Sequence, residues 1–117
     1  MLPDFSDYTA LFQTVEKEQL YEWLISQLKK DFALANVDIA LTIEMEPAKL
    51  RTELHEKIYY LILEKFTAYL NLLYVIDVPE KSLQDIHMAD AVEVAEQITF
   101  LVLKRELQKV WLKVKYS

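Results

Sequence analysis

The chain reads as an all-α protein, an up-down bundle of three to four main helices in a single domain spanning residues 1–117. Three observations predict this. The 117 residues contain no glycine, although tight hairpin turns depend on glycine for positive φ; connections between helices manage with Asn, Asp and Pro. Apolar residues make up 53% of the chain, enough to form a core and too many for disorder. Apolar side chains also recur at steps of three and four over long stretches, the period of a helix with one buried face.

The stretch from Glu46 to Asp77 is expected to organise the rest. Pro47 suits a first helical position, where its missing N–H costs nothing, and no proline or glycine follows until Pro79. A helix from Pro47 to Ile76 would be a rod of roughly 45 Å at about 1.5 Å per residue. Leu50, Leu54, Ile58, Leu61/Ile62, Phe66, Tyr69/Leu70, Leu73 and Ile76 form its apolar column. Glu53, Lys57, Tyr60, Glu64 and Asn71 mark the narrower polar side. Because Ile58–Ile76 is apolar nearly all round, it needs cover from other helices or from a partner chain.

The other elements follow in order. Pro3 to Gln13 predicts a short first helix, with Asp4, Ser6 or Asp7 as N-cap and Leu11 and Phe12 to bury. Thr14 suits the cap of a second helix, with Glu16 and Glu18 in its first turn, where negative charge complements the helix dipole. Leu20, Trp23, Leu24, Leu28 and Phe32 make its stripe, ending near Asn36. Residues 37–45 alternate apolar and polar as a half-buried strand does. A lone strand has no ladder partner, so the segment is read as an extended or short helical connector. Pro79–Ile86 reads as a short helix leading to a turn at His87–Ala89. Asp90 can cap a last helix reaching about Lys115, with apolar positions from Val92 to Val114.

Charge and composition narrow the function classes. The net charge of −6 disfavours wholesale binding to nucleic acid or anionic lipid. Without cysteine there is no disulfide framework or thiolate chemistry. With no glycine, a phosphate-binding P-loop and a dinucleotide fingerprint are impossible. MLPDFSD has neither the basic nor the apolar part of a secretory signal. Ile58–Ile76 approaches a membrane span in length, yet Glu64 and Lys65 sit near its middle, where a lysine costs about 2.5–3.5 kcal/mol. A buried helix in a cytoplasmic protein, with no membrane contact, is the expectation.

Candidate sites are few. The Glu-x-x-His signature of a carboxylate-bridged metal bundle is absent, since Thr52 precedes His55 and Gln84 precedes His87 by three. His87, Asp90, Glu93 and Glu96 recur at steps of three, a spacing that can hold a metal but equally marks a cap and its first-turn acids; no metal or other cofactor is assigned. His55, beside Arg51 and Tyr59 by helical spacing, has no pocket around it that the sequence reveals. No Ser-His-Asp pattern suggests catalysis, and no catalytic residue is assigned.

Residues 104–117 hold five cations against Glu106, a local charge of +4 that leaves −10 on the remainder. Arg105, Lys109 and Lys113 form one stripe beside Trp111, the pattern of a surface for phosphates and bases. Pairing with the acidic remainder and with the helix C-terminus is the competing reading. Tyr59, Tyr60, Tyr69 and Tyr74 ring the central helix and cannot all enter one small core. Tyrosine suits protein interfaces, so the expected role is a protein–protein interaction or self-associating module. Its partner would be a second copy or another protein, with the basic stripe on nucleic acid or a ligand-binding bundle as alternatives.

Overall fold

A computed structural model describes residues 2–86 and 90–116, so the predicted turn at His87–Ala89 lies outside the described residues. Among the described residues there are six α-helices and no strand: α1 Tyr8–Lys17, α2 Tyr21–Leu34, α3 Pro47–Glu64, α4 Phe66–Ile76, α5 Glu80–Gln84 and α6 Ala91–Lys115. The fold class is as the sequence predicts. Its organising element is different. α6, with 25 residues, is about 37 Å long, as long as the molecule's greatest extent of 36 Å. It packs against α1, α2, α3 and α4, most extensively α3. Asp90 caps it, accepting a hydrogen bond from the Glu93 N–H at 2.9 Å, and it buries Ala95, Ile98, Val102, Leu103, Leu107 and Val110.

The single rod expected from Pro47 to Ile76 is two helices, broken at Lys65 (φ −142°, ψ 59°). The reason lies in the stripe that faces the core. Leu50, Leu54, Ile58 and Leu61 are buried on α3, and Tyr69, Leu72, Leu73 and Ile76 on α4. A straight helix stepping from Leu61 to Tyr69 passes through position 65. It would drive an unpaired lysine into the core, a cost of several kcal/mol. Breaking there sends Glu64, Lys65 and Phe66 into solvent. Phe66 and Leu70, expected in the apolar column, are about half exposed.

The first two helices are shifted relative to expectation. α1 starts at Tyr8, capped by Asp7, which accepts from the Ala10 N–H at 2.8 Å. It runs through Thr14 to Lys17, so Thr14 is interior and no side chain caps α2. The connection turns on Gln19 in the left-handed region, φ 57°. Leu20 N–H bonds the Val15 carbonyl at 2.9 Å and Gln19 N–H the Glu16 carbonyl at 3.1 Å, the paired bonds of a Schellman motif.

The same motif closes α2 at Asn36 (φ 59°) and α4 at Asp77 (φ 68°). There Val37 N–H bonds the Phe32 carbonyl, and Val78 N–H that of Leu73. In each motif the residue after the left-handed one (Leu20, Val37, Val78) is buried together with the residue it bonds. Gln, Asn and Asp thus do the work glycine usually does, and apolar contact anchors each turn. Residues 37–45 are the extended connector rather than a helix, burying Val37 and Leu41.

Candidate functional site

Tyr60 and Leu63 on the last turns of α3, and Phe66, Leu70 and Tyr74 on α4, are exposed by 45, 54, 55, 51 and 83%. On α4 the three stand at i, i+4 and i+8 and so share one face. That face is the consequence of the break: α4 turns Tyr69, Leu72, Leu73 and Ile76 inward and leaves three more large apolar side chains on the opposite side. The helix contains no charged residue, only Thr67 and Asn71 as polar outward groups. Asn71 donates to the Ala35 carbonyl at 3.4 Å, at the end of α2. With about 150–250 Å² for a whole aromatic side chain, the five residues expose roughly 500 Å². The three on α4 contribute roughly 350 Å² of it, within the range for the largest patch on an ordinary monomer.

The four tyrosines do not act together. Tyr74 belongs to the α4 face, and Tyr60 is exposed on α3 with Lys57 Nζ 5.6 Å from its ring. Tyr59 is half-buried, stacked on His55 at 6.5 Å. Tyr69 is in the core, where burial pushes its hydroxyl pKa up. Leu63, Phe66 and Leu70 are additions that the sequence reading had placed in the core column or passed over. The signal that points to them is Lys65, standing where that column should continue.

The basic stripe is engaged inside the chain. Arg105 donates to the Asp77 carbonyl at 3.0 Å and to its carboxylate at 3.1 Å. Lys113 donates to Gln27 Oε1 at 3.1 Å. Lys104 pairs with Asp4, and Lys115 with Glu18. Lys109 reaches furthest in. Its ammonium pairs with the Asp31 carboxylate, donates to the Ile76 carbonyl at 3.2 Å, and lies 3.1 Å from Glu106 Oε1.

Asp31, from α2, and Glu106, from α6, are buried, Glu106 completely. Burial, then the hydrogen bond and charge of Asp31, push the Glu106 pKa up to about 9, against the pull of Lys109. Burial raises that of Asp31 too, but hydrogen bonds from Glu106, Lys109 and Gln27 outweigh it and hold it low. Glu106 is therefore a neutral acid at pH 7 and Asp31 an anion. Apart from the Lys109 ammonium beside Oε1, the Glu106 oxygens accept no hydrogen bond; protonated, Glu106 donates to Asp31. Gln27 completes the set, donating to Asp31 Oδ2 at 3.1 Å. No substrate reaches groups this deeply covered, and the cluster ties α2, α4 and α6 together.

The histidine and acidic candidates are dispersed. His55 Nε2 lies 3.3 Å from the Val92 carbonyl and 3.8 Å from Glu96 Oε2. Glu96 pairs with Arg51, whose guanidinium stacks 3.7 Å above the Tyr8 ring. Asp90 serves as a cap and Glu93 follows it in the first turn; His87 lies outside the described residues. Among the described residues no three His, Asp or Glu gather as metal ligands, and no helix is long and apolar enough to cross a membrane.

A groove of about 900 Å³ runs between α1 and the start of α3, lined by Tyr8, Phe12, Tyr21, Pro47 and Arg51. Its one cation is already neutralised by Glu96. Comparison of the chain with protein-family models, curated proteins and solved structures gives no match, so its function is argued from these residues.

Proposed function

We propose that this chain is a non-catalytic helical module that works by protein–protein association through the outer face of α4 and the end of α3. One observation carries the reading: five large apolar side chains between Tyr60 and Tyr74 are exposed, and the helix bearing three of them is free of charge. Water contact with roughly 500 Å² of such surface costs on the order of 10 kcal/mol at about 25 cal/mol per Å², which association recovers in part. The titratable groups support the same reading: those with displaced pKa values are buried in the core, paired with an opposite charge on the surface, or, for Tyr8 and Tyr21 on the wall of the groove, tied by their hydroxyls to the Glu96 and Met45 carbonyls. The test replaces Tyr74 with a photo-crosslinking phenylalanine derivative, with Val92, exposed on α6, as control. Protein adducts at position 74 well above those at 92 are expected; equal labelling at the two positions overturns the proposal.

A further inference from the structure

The exposed groups of α4 have nearly the same order in both directions: aromatic, leucine, aromatic at Phe66, Leu70 and Tyr74. Four residues rise about 6 Å, so the two rings stand at equal distances on either side of Leu70 along one ridge. A ridge of this kind is self-complementary about a twofold axis, the commonest symmetry of soluble oligomers. We propose, building on the association reading above, that α4 docks antiparallel against α4 of a second copy. Leu70 meets its counterpart at the axis, and each Phe66 lies beside Tyr74 of the other chain.

Charge selects both the face and the direction. Two chains of net charge −6 repel, and α4 itself carries no charge, so contact along it opposes like charges only at its ends, where Glu64 stands beside Lys65. Lys65, at its start, is exposed and makes no ion pair among the described residues. Asp77, at its end, keeps 76% of its side chain exposed while pairing with Arg105. Antiparallel docking carries each Lys65 toward Asp77 of the other chain. Parallel docking would set lysine on lysine and aspartate on aspartate, and would align the two helix dipoles unfavourably.

The area sets the strength. Phe66, Leu70 and Tyr74 expose roughly 350 Å² on each copy, about 700 Å² for two, which is below the usual floor for a stable interface and makes the dimer a weak, reversible one.

The chain has no cysteine, so introduced thiols report position cleanly. Under mild oxidation L70C is expected to cross-link with itself, and F66C with Y74C in a mixture. F66C alone should yield about tenfold less. In sedimentation, L70E should weaken the dimer at least about 30-fold, as for a central anchor, with an unchanged melting temperature when both chains are compared dilute enough to be monomers, because Leu70 is half exposed. A dimer that survives L70E, or that cross-links readily through F66C alone, overturns the α4 axis and leaves the association reading standing. A wild-type chain monomeric at about 200 µM overturns the second-copy inference. In that case adducts of other proteins at position 74 still support association, and their absence removes both.

Discussion

Replacing Glu106 by glutamine tests the buried cluster, and the size of the effect follows from its geometry. Glu106 is fully covered and its pKa stands at about 9 against an ordinary 4.5. The folded chain therefore holds a proton that the unfolded chain releases anywhere between these values. Stability is full below about pH 4.5 and falls as pH rises, levelling off above about 9. Each unit is worth about 1.4 kcal/mol, so by pH 7 roughly 3 kcal/mol has been lost, and by pH 9 roughly 6 kcal/mol.

Asp31 works in the opposite sense. Its pKa is held low, so its contribution is lost on acidification and leaves the window from pH 5 to 9 to Glu106. Glutamine keeps an N–H to donate to Asp31 and cannot ionise. Urea denaturation followed by circular dichroism at pH 5, 7 and 9 is the assay, with the difference between variant and wild type cancelling every other titrating group. Glu106→Gln is expected to match wild type near pH 5 and to exceed it by about 1–3 kcal/mol at pH 7, with a wider gap at pH 9. A difference that stays constant across the three values, or a variant less stable than wild type at pH 7, refutes the protonated acid.

Two further changes probe the backbone. Gln19→Gly supplies the residue that a left-handed helix terminus favours, and about 0.5–1 kcal/mol of added stability is expected in the same denaturation assay; a loss would show that the Gln19 side chain contributes more than its φ of 57° costs. Lys65→Leu removes the charge from the core register and should let α3 continue into α4. Amide exchange at Phe66–Ala68 is then expected to slow by about tenfold or more, as intrahelical bonds form there. Unchanged exchange would mean that packing elsewhere, rather than the lysine, sets the break.

Much of the fold was legible because helices announce themselves locally. The missing glycine, the apolar period, Pro47 and the Asp90 cap each act within a few residues and each points to the same class. The helix ends were harder. Gln19, Asn36 and Asp77 take the left-handed turn without looking like stop signals, and only the burial of Leu20, Val37 and Val78 shows what holds them there. The break at Lys65 was written in the register from Leu61 to Tyr69. Counting Phe66 into the column concealed it, and with it the exposed face of α4. The Asp31–Glu106–Lys109 cluster was invisible, because α2 and α6 meet across more than seventy residues of chain and no local pattern says which acid opposes which. The spacing of Arg105, Lys109 and Lys113 is local and so readable, while the partners that occupy them depend on the same distant pairings.

The order in which a ribosome makes these helices gives α6 a further consequence. α1 to α4 all emerge before the one segment against which each of them packs. Until residues 91–115 leave the exit tunnel, Leu28, Phe32, Leu54 and Ile58 have no finished interior to enter, so the nascent chain travels with its greasy surfaces uncovered. Assembly of the shared core therefore waits for α6. A stalled or prematurely ended translation product of this chain is a natural client for chaperones and proteases.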